Sequence, residues 1–176
     1  HTYVNSIEPI RQALKSHPVK RLIVVSSTRV YGENSGETID DHSEIHPNDA
    51  QGHILHNMEL LWQKYFPSQC VIVRPTGIYG ASIDRLKRMA EHTQTYPNIH
   101  YSNRIHIDDL ARFLAFLADF EKTHKSYLVA NNAPVPLHEV LLWFQSQLDL
   151  PLLTLDSAHV SGKKIYAKHL FETGFQ

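Results

Sequence analysis

The chain has 176 residues, of which 42% are hydrophobic and 20% are charged, a balance typical of one soluble globular domain with a substantial core. Its formal net charge of -1 argues against nucleic acid or an anionic membrane as a partner. No apolar run approaches the roughly 20 residues that span a bilayer, and the start lacks the features of a signal peptide, so we expect a cytoplasmic protein.

The chain is predicted to open with a helix followed by a strand. Apolar residues at helical spacing predict a helix that ends before Pro18: Val4, Ile7, Ile10 and Leu14. In residues 21–27, an apolar run passes directly into Ser26 and Ser27. Because the run does not alternate with polar residues, it predicts a strand buried on both faces, as in parallel sheets covered by helices. Ligands bind at the carboxyl ends of such strands, where these hydroxyls lie.

A second helix and strand follow a polar segment. Residues 33–50 show no periodicity, so we expect a long surface loop. Helical spacing returns at four positions, namely Leu55, Met58, Trp62 and Tyr65. Residues 70–74 form an apolar strand that ends at Pro75. We predict that the strands at 21–27 and 70–74 are parallel and adjacent, with Ser27 and Pro75 at the same edge.

The second half of the chain continues to alternate helix and strand. Residues 84–93 predict a short helix, and residues 105–107 predict a brief strand. Asp108 is suited to cap the helix that follows, because its carboxylate can accept backbone N–H groups. Residues 127–130 predict a further strand and residues 137–148 an amphipathic helix. This alternation predicts an α/β fold with right-handed crossovers.

Four segments carry signatures that occur together in one family. They are Ser26-Ser-Thr-Arg-Val-Tyr-Gly32, Val71-Ile-Val-Arg-Pro-Thr-Gly-Ile-Tyr-Gly80, Asn103-Arg-Ile-His-Ile-Asp-Asp-Leu110 and Tyr127-Leu-Val-Ala-Asn-Asn-Ala-Pro134. In this order they resemble the extended and atypical short-chain dehydrogenases, which include NAD-dependent sugar epimerases and dehydratases. The resemblance implies a Rossmann-like parallel sheet with crossover helices and an oxidoreductase-type cofactor, NAD or NADP.

The glycine-rich βαβ half of a Rossmann fold is not found in this sequence. No Gly-x-Gly-x-x-Gly occurs, and the 7 glycines are spread singly. The resemblance therefore implies the carboxyl-terminal portion of a longer protein, a single partial domain. Residues 1–80 would be the second half of the NAD(P)-binding sheet, and residues 81–176 the substrate-side portion. We expect an N-terminal segment of the same protein, or another chain, to complete the sheet at the strand 21–27.

The resemblance also assigns roles to six positions. The family holds the substrate hydroxyl with a serine or threonine four residues before the Tyr-Gly pair, which makes Ser27 the implied catalytic hydroxyl. The implied cofactor-binding residues are Ser26, Pro75 and Thr76, and the implied substrate-binding residues are Arg104 and His106. An arginine at such a place can pair with a phosphate or carboxylate.

The catalytic tyrosine and lysine of the family are absent. If Glu59 is aligned with the glutamate that often follows the lysine, Gln51 takes the tyrosine position and Leu55 the lysine position. Neither side chain titrates near neutrality, so the usual proton relay cannot operate there. His53 and His56 would point elsewhere on a helix, and Tyr31 is better suited to packing in its turn than to chemistry.

The chain contains 13 histidines, so we considered the hypothesis that some of them bind a metal ion. The best local group of ligand types lies in one loop, with His42 and His46 close to Asp40, Asp41 and Glu44. No closed four-ligand pattern is present, so we interpret the histidines as solvated and assign no metal site.

Three functions are compatible with these features. The first is a NAD(P)-dependent epimerase or dehydratase acting on a nucleotide-sugar or similar small polar substrate. The second is a non-catalytic NAD(P)-binding or redox-sensing module of the same fold, which the missing Tyr/Lys pair favours. The third is a metal-dependent hydrolase or metal binder that uses the histidines.

Overall fold

The structure is a computed structural model that describes residues 2–175. The helices are α1 (Thr2–Asn5), α2 (Ile7–Leu14), α3 (Ala50–Tyr65), α4 (Asp84–His92), α5 (Ile107–Asp119), α6 (Leu137–Gln147) and α7 (Lys168–Glu172). The strands are β1 (Leu22–Val25), β2 (Ser35–Asp40), β3 (Cys70–Pro75), β4 (Gly77–Tyr79), β5 (Thr95–Tyr96), β6 (Ile99–Ser102), β7 (Arg104–His106), β8 (Ser126–Val129), β9 (Val135–Pro136), β10 (Thr154–Leu155) and β11 (Val160–Tyr166). The predicted α/β class is confirmed.

A three-stranded parallel sheet in the order β1-β3-β8 forms the centre of the fold. Leu22 lies opposite Cys70 and Val25 opposite Val73, so β1 and β3 are parallel and adjacent as predicted. The Ser26 N–H continues the pairing by donating to the Val73 carbonyl at 2.7 Å. The ends of both strands therefore lie at one edge of the sheet, which confirms the predicted placement of Ser27 and Pro75.

Strand β1 is less buried than its sequence predicts. Val24 is 8% exposed but Val25 is 48% exposed, whereas every residue of β3 is buried. Strand β3 has a strand on each side, whereas β1 is an edge strand that pairs with β3 alone within residues 2–175. An apolar run thus identified a strand of a parallel sheet correctly, but the expected burial on both faces is wrong for β1.

A second sheet arises where the sequence predicted only a loop. Strand β2 lies within residues 33–50 and pairs in parallel with β11, giving the order β2-β11-β6-β9. The pairing escapes sequence patterns because β2 is mostly polar and its partner lies more than a hundred residues away in the chain. The expectation of an irregular surface loop is therefore wrong for this segment, whose only fully buried residue is Ile39 at 3% exposure.

The predicted helices are present, with differences in detail. The first helix is divided into α1 and α2, and the helices predicted around residues 55–65, 84–93, 108–120 and 137–148 are present as α3 to α6. The cap of α5 is His106, whose Nδ1 accepts the Asp108 N–H at 3.3 Å, so the predicted capping by Asp108 is wrong. No helix in the described part of the chain is long and apolar enough to cross a membrane.

Candidate functional site

The candidate site is a cavity of about 480 Å³ at the carboxyl ends of β1 and β3. Its floor comes from the residues that follow these strands, including Thr28, Arg29, Thr76 and Gly77. The opposite wall comes from the second sheet, through residues 100–103 of β6 and the residues after it, and through part of β11. A cavity in this place agrees with the general rule that α/β sheets bind ligands beyond the carboxyl ends of their strands.

The two serines after β1 differ in their surroundings. Ser27 precedes a 3-10 turn (Thr28–Val30), and its Oγ accepts the Arg29 N–H at 3.2 Å. Its hydroxyl proton remains available to donate. Ser26 is 9% exposed, and its Oγ is buried without a hydrogen-bond partner within residues 2–175. A buried hydroxyl without a partner is costly, so it marks a place where a bound group can satisfy it.

Pro75 and Thr76 end β3 at the same edge. Pro75 is the last residue of the strand and lies opposite Val129 of β8. Thr76 lines the cavity and is 6% exposed, and its N–H and Oγ1 both donate to the Val129 carbonyl, at 3.0 and 3.2 Å. Its hydroxyl is therefore committed to the backbone and offers a ligand only its oxygen lone pairs and methyl group.

Helix α3 occupies the place that the resemblance assigns to the catalytic pair. It begins after Asp49, whose carboxylate accepts the Gly52 N–H at 2.7 Å and pairs with Arg29 at 2.9 Å. The backbone hydrogen bond, followed by Arg29, lowers the pKa of Asp49. Leu55 is 8% exposed and belongs to the hydrophobic core, while Gln51 is half-buried. The lysine position is thus filled by core packing rather than by a group that faces a ligand.

A buried ion pair holds α3 against the sheet. Glu59 of α3 accepts from Arg74 of β3, with Nη2 2.7 Å from Oε2, and the two side chains are 1% and 6% exposed. Arg74 also donates to the Tyr31 hydroxyl at 2.9 Å. Tyr31 is 1% exposed, and burial raises its pKa. The glutamate used to align the motif is therefore structural, and Tyr31 is the packing aromatic that the sequence predicted.

The cavity is also lined by two charged residues that the sequence analysis did not single out, one on β11 and one just before β2. Lys163 lines the cavity and donates from Nζ to the Tyr31 carbonyl, and burial lowers its pKa. Glu33 lines the same cavity, and its Oε2 is buried without a partner in the described part of the chain. No sequence signal identified Lys163, because β11 reaches the site only through its pairing with β2 and β6.

The side chain of Asn103 hydrogen-bonds the backbone of β11. Its Nδ2 donates to the Lys163 carbonyl at 2.8 Å, and its Oδ1 accepts the Ile165 N–H at 2.8 Å. An asparagine that bonds both the carbonyl and the N–H of a passing strand substitutes for a neighbouring strand. The residue belongs to one of the four family-like segments, so a signal was present in the sequence, although its structural meaning required the partner strand.

Arg104 and His106 do not line this cavity. Arg104 borders an adjoining cavity of about 240 Å³, which shares Gly77, Ser102 and Asn103 with the first. Burial lowers the pKa of Arg104. The ring of His106 caps α5 and packs edge-on against Tyr79, with 5.2 Å between ring centroids. His106 therefore caps α5, and Arg104 borders the adjoining cavity.

The chemistry of the cavity is polar. Its lining carries hydroxyl, amide and charged groups of both signs, which include Thr28, Arg29, Asn48, Asp49 and Lys163. Such a lining suits a small ligand with many hydroxyl groups or with a charged portion, because each polar group can be exchanged for one on the ligand. The lining contains no tyrosine–lysine relay on α3.

Solved structures match the chain closely. No protein-family model and no curated protein sequence matches it. A structure from Methylobacillus flagellatus, described as a NAD-dependent epimerase/dehydratase, is 29% identical with a TM-score of 0.87 and covers 99% of this chain and 64% of its own. MoeE5 in complex with UDP-glucose and NAD is 18% identical with a TM-score of 0.79, covering 99% of this chain and 65% of its own.

A third structure agrees with these two. The dTDP-glucose 4,6-dehydratase of Bacillus anthracis in complex with NAD is 15% identical with a TM-score of 0.80, covering 98% of this chain and 61% of its own. The matches below 25% identity establish the fold. Our chain thus spans somewhat less than two thirds of the length of these three proteins. The 29% identical structure agrees with the resemblance read from the four segments: the chain is similar to NAD-dependent epimerase/dehydratase structures and spans part of their length.

Proposed function

We propose that this chain is the carboxyl-terminal portion of a NAD(P)-dependent epimerase/dehydratase-like protein that acts on a nucleotide-sugar or a similar small polar molecule. The observation that carries the proposal is the polar cavity of about 480 Å³ at the carboxyl ends of β1 and β3. Two solved structures with the same fold support it: MoeE5 is in complex with UDP-glucose and NAD, and a dTDP-glucose 4,6-dehydratase is in complex with NAD. In this proposal residues 1–80, together with β8, form the second half of the cofactor sheet, and residues 81–176 supply most of the substrate side.

The residues present fit one side of a dinucleotide cofactor. The unpartnered Ser26 hydroxyl, Pro75 and the Thr76 side chain lie together at the strand ends, where they would border the nicotinamide portion. When bound, the cofactor would supply hydride transfer. A glycine-rich pyrophosphate cradle is absent from the 176 residues. We therefore propose that an N-terminal segment of the same protein, or another chain, provides the cradle and pairs with β1.

Within this proposal Ser27 orients the substrate. Ser27 does not itself line the cavity but directly precedes Thr28 and Arg29, which do. Its Oγ accepts one backbone N–H and could donate its proton to a substrate oxygen that reaches the end of β1. Arg104, in the adjoining cavity, is suited to the charged portion of the substrate, since a guanidinium pairs bidentately with a phosphate or carboxylate. Both assignments are proposals that follow from position.

A second candidate is a binding module without turnover. Leu55 lies in the core at the lysine position, and Gln51 cannot serve as an acid or base. Such a protein would bind NAD or NADP with a polar ligand and report their presence. Both candidates share the fold and the cavity and differ only in whether the bound substrate is converted.

The test uses the full-length protein, titrated calorimetrically with NAD, NADP and UDP-glucose. We expect Ser27→Ala to weaken UDP-glucose binding by about 2- to 10-fold, the value of one hydrogen bond, while the exposed Ser68→Ala changes nothing. Absence of binding for both dinucleotides would refute the proposal. Conversion of UDP-glucose by the NAD complex would favour the enzyme, and saturable binding without conversion would favour the module.

A further inference from the structure

A group of metal-ligand side chains lies on the far side of strand β8 from β3. Residues distant in the chain come together there, and one potential ligand atom from each of His124, His169 and Glu172 lies within 4.8 Å of the others. None of them lines the candidate active site. His169 and Glu172 lie three residues apart on α7, so they face the same way, and His124 reaches them from the segment before β8.

His169 is held as a metal-binding histidine is usually held. Its Nδ1 is 3.0 Å from the Ser126 carbonyl and 3.6 Å from the Asp41 carboxylate, so Nδ1 carries the proton and Nε2 keeps a free lone pair. Asp41 is itself fixed, since its carboxylate is 1% exposed and accepts the N–H groups of Leu128 and His169 at 2.6 and 3.0 Å.

The side chains of His124 and Glu172 lie close to each other, and both are partly exposed and free to reorient. The Nε2 of His124 is 3.3 Å from Oε2 of Glu172, and these side chains are 41% and 54% exposed. The His124 ring stacks on the His169 ring, with 3.7 Å between centroids and an interplanar angle of 5°. Coordination requires the more exposed His124 ring to turn out of this stack, while His169 stays fixed by its carbonyl and carboxylate partners.

The local charge favours a cation. Glu172 and Asp41 bring two carboxyl groups to the cluster, and the nearby Lys168 is occupied by Asp40 at 2.6 Å. His42 adds a third imidazole, whose ring centroid is 5.1 Å from that of His169. The loop cluster considered from sequence is thereby divided: Asp41 and His42 join this group, while His46 pairs with Glu44 at 3.0 Å.

We propose that His124, His169 and Glu172 bind a divalent transition-metal ion of the zinc type. Two imidazole nitrogens and one carboxylate oxygen are three of the four ligands of a tetrahedral zinc ion, with water or His42 as the fourth. The ion would fasten the segment before β8 to α7 across this edge of the sheet. The role is structural and independent of the active-site cavity.

The first measurement is titration of the full-length protein with Zn²⁺ by calorimetry and with Co²⁺ by visible absorption. We expect a saturable site with the d–d bands of low-coordinate Co²⁺. Because histidine ligands must be neutral to coordinate, affinity should fall when the pH is lowered from 7.5 to 5.5. A titration without saturation, or Co²⁺ bands of a fully hydrated ion, would overturn the proposal.

Matched variants locate the ion. We expect His124→Gln and Glu172→Gln each to weaken binding more than about 10-fold, because each removes a ligand from an exposed position and leaves the core intact. The control is His46→Gln, which removes an exposed histidine that also pairs with a glutamate. Zn²⁺ should raise the melting temperature of the wild type and the control, but not of the two ligand variants. Equal affinity in all four proteins would show that the ion binds elsewhere and would refute the site.

Discussion

Lys163 is the most unusual charged side chain of the candidate site. It lies half-buried in the cavity wall, where its ammonium group bonds the Tyr31 carbonyl, and burial lowers its pKa. Burial disfavours the charged form, so the group is held at a cost to the free energy of folding. Side chains kept charged against such a cost are common where a site must meet a ligand of opposite charge.

This cost predicts a dependence of stability on pH. Between the lowered pKa of Lys163 and its usual value of 10.5, the unfolded state binds more protons than the folded state, so the free energy of unfolding gains a contribution that rises with pH. Relative to the Lys163→Met variant, the wild type should become more stable as pH rises through that interval, measured by urea denaturation. The exposed Lys64→Met variant should follow the wild type. Parallel curves for the wild type and Lys163→Met would contradict the prediction.

Which site residues could be predicted depended on how local their signals are. Ser27 and Pro75 were placed correctly because each ends an apolar run, and two such runs meet at one sheet edge. Lys163 was missed because it reaches the cavity only through strand pairing across most of the chain. The cap formed by His106 was not predicted, because a cap and a substrate contact leave the same sequence pattern before a helix.

At the scale of the elements, α3 and β3 are joined by the buried ion pair of Glu59 and Arg74. Removing one partner leaves the other charge buried without compensation, which typically costs about 3–5 kcal/mol. We expect Glu59→Gln to lower the free energy of unfolding by about that amount in chemical denaturation. The matched control is Glu8→Gln, which breaks an exposed pair with Arg11 on α2 and should leave stability nearly unchanged.

A double variant tests the origin of that loss. In Glu59→Leu with Arg74→Met no charge remains buried, so the loss should be smaller than the sum of the two single losses. Additive losses would show that packing rather than the uncompensated charge dominates. Tyr31 would lose the hydrogen bond from Arg74 in both proteins that lack the arginine.

Strand β11 can lie between β2 and β6 because of Gly162. Its φ of 75° is in the left-handed region, and a Cβ there would clash with the Tyr101 carbonyl oxygen and lie 3.0 Å from the Tyr101 nitrogen. We expect Gly162→Ala to destabilise the protein by about 1–3 kcal/mol, seen as a lower urea midpoint. Gly174 has the same φ of 75° with open space around it, so Gly174→Ala measures the backbone strain alone. Equal losses would mean that the predicted clash is relieved.

The elements also show why the second sheet could not be anticipated. Strands β1 and β3 are apolar runs, and their pattern alone predicts a parallel pair. Strand β2 has mostly exposed and half-buried side chains, and its pairing with β11 includes a register shift at Gly162 and Lys163. A polar strand that is defined by a distant partner is indistinguishable from a loop in its own sequence.

For the molecule as a whole, the important open edge is that of β1 in the central sheet. Within residues 2–175 it pairs only with β3, and Val25 is 48% exposed at its end. An unpaired edge presents free N–H and C=O groups in a row and favours pairing with a further strand. In the proposed function that strand belongs to the segment carrying the pyrophosphate cradle, so one event would both cover the edge and complete the cofactor site.

This coupling leads to a prediction about cofactor affinity. In the proposed function, Ser26 and Thr76 border the nicotinamide portion of the cofactor. The 176 residues contain no glycine-rich turn, and the pyrophosphate is normally held by the N–H groups of such a turn at a helix N-terminus. We expect calorimetry to detect tight NAD binding by the full-length protein and none by the isolated 176-residue chain. Circular dichroism of the isolated chain controls for its folding. Micromolar affinity in the folded isolated chain would contradict the prediction, because it would mean that the described residues alone suffice to hold the dinucleotide.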